Sequence, residues 1–177
     1  MLARDRAVAL SAWSGGSGAE LAIGLTIAQV ASRNKTLFIN TGGNSDALRG
    51  KDCQRYMFHV ESQNSMYVKS VGRSFLQEGL VKGKKWYSLT ADYAFGHDLL
   101  RVAKRFMEGN GGQFAGDDLV PTDATDFSAY LLKIRDSKPD LVVINLAGNQ
   151  ITNFLKQYAE FGLTYPVGGF GFDTALA

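Results

Sequence analysis

The segment Gly15-Gly16-Ser17-Gly18-Ala19 stands between an apolar run, Ala7–Ala12, and an amphipathic stretch that begins at Ala19. It therefore turns a strand into a helix, and its small residues and hydroxyl suit three chemistries. A dinucleotide fingerprint is met at Gly16 and Gly18, but Leu21 stands where a third Gly or Ala belongs, and the next strand ends in Asn40 rather than a ribose-binding acid. A nucleophile elbow would use Ser17, with Ala19 in place of the closing glycine, and a histidine that only His59 or His97 can supply. The third chemistry is an anion seat, because a helix start offers unpaired N–H groups and partial positive charge to a carboxylate, with hydroxyl help from Ser14 or Ser17. Simple capping by Ser17, spaced with Glu20 as a capping box, explains the same residues, and local sequence leaves seat and cap both open. No Walker lysine follows the glycines, which excludes a P-loop.

Further polar loops follow other strands. Thr41-Gly42-Gly43-Asn44-Ser45-Asp46 again sets glycines and short polar side chains at a strand's carboxyl end, and two such loops side by side make a concave polar seat. In Ala91-Asp92-Tyr93-Ala94-Phe95-Gly96-His97 an aromatic is placed to close over an apolar ligand side chain, and Asp92 to pair with a cation. The plainer reading has Phe95 packing under the loop and Asp92 capping the helix that follows. Asp173 is a carboxylate placed to hold an ammonium, or a solvated terminal residue.

The elements that position these loops are strands expected at Ala7–Ala12, Thr36–Asn40, Trp86–Thr90, Gln113–Leu119, Asp140–Leu146 and Val167–Phe172. Helical stripes lie between them: Leu99, Val102, Ala103, Phe106 and Met107; Phe127, Tyr130, Leu131 and Ile134; Ile151, Phe154, Leu155 and Tyr158. A first helix is expected over Ala19–Ser32, and Gly79, Gly111 and Gly162 fall just past helical stretches. Because Asp140–Leu146 is almost wholly apolar, it reads as a parallel strand covered on both faces. The class is α/β, with open parallel sheets and flanking helices. Ligands of such sheets bind outside the carboxyl ends of the strands, at Trp13–Gly18, Thr41–Asp46, Ala91–His97, Ala147–Asn149 and Gly171–Thr174. The rhythm breaks at Lys51–Glu61, which reads as a crossing between two lobes.

Composition narrows the function. The 177 residues are 45% hydrophobic and 20% charged, which suits a globular core. Nineteen Lys and Arg against seventeen Asp and Glu leave a scattered +2, too weak a bias for nucleic acid or an anionic membrane. The one dense basic cluster, Lys82, Lys84 and Lys85, reads as a solvated loop. The lone Cys53 makes no internal disulfide, and two histidines with one cysteine disfavour structural zinc. No run has secretory length or approaches the roughly 20 apolar residues of a membrane span.

Five segments in register resemble the type I periplasmic solute-binding proteins of ABC transporters, in the Leu/Ile/Val-binding-like branch. They are LFINTGGNSDALRGKDC, YMFHVES, WYSLTADYAFGHDLLRVAKRF, DATDFSAYLLKIRDSKPDLVVINLAG and LKQYAEFGL, and the resemblance covers about Val8 to Phe172. It implies two α/β lobes joined by hinge strands that close over a small ligand. Residues 1–60 would be a partial first lobe, 61–172 a nearly complete second lobe, and 173–177 the start of a second crossover. On this reading the chain is a piece of a longer protein whose signal segment and remaining first-lobe portions lie elsewhere, and alone it should bind weakly.

By the same resemblance Gly42, Gly43 and Asn44 meet the ligand's carboxylate or ammonium, joined by Ser14 or Ser17. In the second lobe the pocket aromatic falls on Phe95, with Tyr93 beside it, and a further contact on Ala147. The family's acidic ammonium anchor aligns with Phe170, a departure for which only Asp173 can substitute. The implied function is binding rather than catalysis, without cofactor: a periplasmic or extracytoplasmic component that delivers an amino acid, amide or carboxylate to a membrane permease. Nucleic acid and direct membrane insertion are not expected. A ligand-sensing effector domain of a receptor or regulator is the rival, and a dinucleotide-dependent enzyme a second one, against which Asn40 and Leu21 count.

Overall fold

The computed structural model describes residues 9–12, 19–60 and 62–170, and the chain divides into two compact units, Met1–Gln63 and Asn64–Ala177. Both are α/β, with parallel sheets and flanking helices. Among the described residues, no helix is long and apolar enough to cross a membrane.

In the first unit, strand β1 (Ala9–Ala12) leads to helix α1 (Ala19–Arg33), β2 (Leu37–Asn40), a 3-10 turn over Asp46–Arg49, and β3 (Met57–His59). The sheet order is β1-β2-β3, all parallel, with Ala12 opposite Asn40 and Asn40 opposite His59. The third strand corrects the sequence reading, which saw only a crossing at Lys51–Glu61. Three residues are too few to show a period of two. Phe38 on β2 packs fully buried against Ala28 and Ala31 of α1, with Ile27 and Met57 at the margin.

The second unit runs α2 (Asn64–Gln77), β4 (Lys85–Ala91), α3 (Ala94–Gly109), β5 (Gln113–Val120), α4 (Ser128–Ser137), β6 (Leu141–Asn145), α5 (Asn149–Glu160) and β7 (Val167–Gly169). Its sheet has the order β5-β4-β6-β7, again all parallel. Every residue of β6 is buried, because helices cover both faces. Alternation sends Leu141 and Val143 into one core with Trp86, Leu99, Ala103 and Met107. It sends Val142 and Ile144 into the other, with Leu131, Ile134, Ile151 and Phe154. The expected stripes of α3, α4 and α5 are thus the surfaces laid against the sheet.

Helix stops and strand starts carry their own chemistry. Gly79, Gly111 and Gly162 adopt φ of 72°, 86° and 67°, the left-handed region expected of them. The basic cluster is less idle than a solvated loop. Lys84 Nζ lies 3.3 Å from Asp140 Oδ1, the Lys85 amide donates to Asp140 Oδ2 at 2.8 Å, and Lys85 Nζ donates to the Ser137 carbonyl at 2.6 Å. Together they tie the start of β4 to the residue that precedes β6. The Lys85 amide bond, foremost, holds the Asp140 carboxyl below its ordinary range.

Candidate functional site

The first unit's site loop leaves the carboxyl end of β2 and is shaped by the last residue of that strand. Asn40 is buried, and its Oδ1 accepts the Gly43 amide at 3.0 Å and the Gly42 amide at 3.4 Å. Its Nδ2 donates to the Gly43 carbonyl at 3.0 Å and lies 3.1 Å from His59 Nδ1 on the adjacent strand. One carboxamide thus stands in for a turn of backbone hydrogen bonding. Gly43 sits in a tight place: a Cβ there would come within 3.0 Å of Leu48 Cδ1 and 3.2 Å of both polar atoms of Asn40, so those side chains would have to give way to it. Beyond it, the Ser45 hydroxyl accepts the Ala47 amide at 3.3 Å, and Asn44 Nδ2 donates to the Ser62 carbonyl at 2.9 Å.

Gly42 and Gly43 are therefore buried, with amides turned onto Asn40, while Asn44 is half-buried and ties its loop to residue 62. Sequence reasoning weighed Asn40 only as the wrong residue for a ribose and did not see it as the organiser of the loop. Its position at a strand end, next to two glycines, was the available signal. Ser14 and Ser17 lie outside the described residues, as does Asp173.

In the second unit the carboxyl end of β4 opens into the loop that starts α3. The Asp92 carboxylate lies 2.8 Å from His97 Nε2, so it pairs with a ring instead of capping the helix. No side chain caps α3 at its Tyr93 N-cap. Tyr93 and Phe95 stack, with ring centroids 5.9 Å apart and planes at 27°. Tyr93 leans on the α4/α5 core and Phe95 on the α2/α3 core, and both are half-buried. Phe95 thus packs as the plainer reading expected, and it remains half-buried just past the strand's carboxyl end. Gly96 seats the helix on the strand, since a Cβ there would overlap the Ala91 carbonyl oxygen.

Half-buried Ala147 follows β6 and precedes Gly148, whose φ of 53° and ψ of −134° suit only glycine and turn the chain into α5. Phe170, where the resemblance would put an acidic anchor, is a core residue: it is buried 5.7 Å from the Phe75 ring.

A polar network crosses the same sheet beneath α3. Asn145 Nδ2 donates to Ser88 Oγ at 3.0 Å and to Thr90 Oγ1 at 3.3 Å, and Thr90 donates on to Asp117 Oδ1 at 2.6 Å. Burial raises the Asp117 carboxyl above its ordinary range, against the opposing pull of the Thr90 and Ser88 hydroxyls. These residues lie inside predicted strands and gave no sign of one another in sequence, because the contacts bridge neighbouring strands. Among the described residues, no three His, Cys, Asp or Glu side chains gather as metal ligands do.

Comparison with known proteins agrees with this architecture. A family model described as periplasmic binding protein matches residues 10–177. A solved periplasmic binding protein from Burkholderia mallei is 31% identical, with a TM-score of 0.82, over 95% of this chain and 44% of that one. A branched-chain amino acid ABC transporter periplasmic ligand-binding protein from Burkholderia xenovorans is 29% identical, with a TM-score of 0.79, over 94% of this chain and 43% of its own. A solute-binding protein of an ABC transporter from Rhodopseudomonas palustris, solved with 3,4-dihydroxybenzoic acid, is 27% identical, with a TM-score of 0.70, over 82% of this chain and 39% of that chain. The chain therefore spans less than half the length of each. Among proteins with curated descriptions, none matches.

Proposed function

The chain belongs to the periplasmic binding protein family, and from that premise we propose that it acts as the extracytoplasmic solute-binding component of an ABC transporter, handing a small organic carboxylate to a membrane permease. Its role on this reading is binding rather than catalysis. On this reading the contacts to the solute come from the loops at the carboxyl ends of the strands in each unit: Ser14 or Ser17 and Asn44, on the turn that Gly42 and Gly43 shape, in the first, and Tyr93, Phe95 and Ala147 in the second. Asp173 is the remaining candidate for holding an ammonium.

Among small acids, aromatic carboxylates fit ahead of α-amino acids. The observation that carries this ranking is the buried ring of Phe170, packed into the α2/α3 core at the position where the resemblance would call for an ammonium anchor. An α-amino acid binds by its ammonium as well as its carboxylate, whereas a benzoate needs only the carboxylate and a face for its ring. The stacked Tyr93 and Phe95 rings supply such a face. The Rhodopseudomonas palustris relative that holds 3,4-dihydroxybenzoic acid lends support. The name of the Burkholderia xenovorans relative keeps branched-chain amino acids in the test.

A thermal-shift panel on the intact gene product tests the reading, with benzoates, branched-chain amino acids, amides and dinucleotides in separate wells. Ligand at a hundredfold excess over Kd adds about 2.7 kcal/mol to stability, enough for a clear rise in Tm. Stabilisation by a benzoate is the expected result. A response to leucine or valine alone would move the ammonium to Asp173, and a response to dinucleotides alone would overturn the reading.

A further inference from the structure

We propose that Asn40 and His59 form a positioning pair that sets the shape of the Thr41–Asn44 loop, with His59 held as its neutral Nε2–H tautomer. This rests on the reading of that loop as a solute contact. The carboxamide cannot be turned over: Oδ1 faces the Gly43 amide and Nδ2 faces the Gly43 carbonyl, both at 3.0 Å, so exchange would set donor against donor and acceptor against acceptor. With Nδ2 fixed as a donor, the ring nitrogen 3.1 Å away must accept, and an accepting Nδ1 leaves the ring proton on Nε2.

The pair is seated from both sides. The side chain is buried, and its bonds to both the amide and the carbonyl of Gly43 fix the direction in which the carboxamide points. On the backbone, Val60 donates to the Asn40 carbonyl at 3.1 Å, which keeps β3 beside β2 where the two side chains meet. The charged group that reaches His59 from the 3-10 turn is Arg49, whose Nη2 donates to the His59 carbonyl at 3.3 Å. Protonation of Nδ1 would put a donor against the Asn40 donor and release the carboxamide from its alignment with the loop.

The test compares His59→Gln, whose side-chain oxygen can still accept from Asn40, with His59→Leu, which cannot. Two measurements are made on each: amide exchange of Gly42 and Gly43 without solute, and affinity for whichever panel compound stabilises the protein, between pH 5 and 8. Removing the acceptor is expected to weaken binding about tenfold and to speed exchange at Gly43. His59→Gln should keep binding within about threefold of the parent, and acidification, which puts a donor on Nδ1 of the parent's ring, should weaken the parent's binding more than that of His59→Gln. Nitrogen-15 shifts of the His59 ring should report a proton on Nε2 at neutral pH. If His59→Leu keeps both affinity and slow Gly43 exchange, or if the ring proton sits on Nδ1, the pair does not position the loop. If the parent binds none of the panel while Gly43 exchange still follows the acceptor, the positioning pair stands and the solute-binding reading fails.

Discussion

Tyr158 shows how one hydroxyl ties a helix to the strand that follows it. Its OH donates to the Tyr165 carbonyl at 2.8 Å, and burial, the main cause, pushes its ionisation up to about 12 from the ordinary 10.0. The sign of the linkage follows. Below pH 10 folded and unfolded chains both hold the proton, whereas from pH 10 to 12 the unfolded chain releases it first, so stability falls as pH rises. Tyr158→Phe should flatten that part of the alkaline profile and cost about 1 kcal/mol at neutral pH through the lost bond. Denaturant melts from pH 8 to 12 check both, and an unchanged alkaline slope would clear Tyr158 of the role. At this scale the sequence is least legible. Glycines at a strand end announce a loop, but Asn40 bonding it and Phe170 turning into a core depend on contacts that no local spacing records. Tyr93 and Phe95 were legible as aromatics at a strand end, and their mutual stacking was not.

The elements themselves were far more legible, because each long helix carries a stripe that only a sheet can bury. Leu99, Ala103 and Met107 repeat every fourth residue and are all fully buried in the structure. The helix α1 and the strands β4, β5 and β6 match their expected spans to within one residue, inside the ordinary uncertainty of an element's end, and the stripes expected between the strands fall on α3, α4 and α5. β3 escaped because it is too short for alternation to show. Gly96 offers the sharpest test of how an element is seated. Its missing side chain lets the first turn of α3 rest on the end of β4, where the obstacle is backbone that cannot step aside. Gly96→Ala should therefore lift α3 from the sheet and cost about 3 kcal/mol, at the upper end for overpacking. A melt that shifts by less than a degree would mean that the turn accommodates the methyl.

For the whole molecule, stability follows where apolar side chains gather. In the second unit β4 and β6 sit between two cores, one under α2 and α3 and one under α4 and α5. Among the described residues, the first unit gathers a much smaller one around Phe38. Amide exchange on the 177-residue chain should therefore be slowest in β4 and β6 and faster in β2, because local opening tracks buried contact. Equal protection of β2 and β6 would show that the two units open together. The loop after β2 has a kinetic meaning of its own. Its shape is held by the chain's own carboxamide, so it stands folded before any solute arrives. If the loop contacts a solute as proposed, that solute would have no segment to order there, and encounter would be paced by diffusion instead of by folding. The observed rate at this surface would climb in direct proportion to solute concentration, without the plateau that a slow rearrangement imposes.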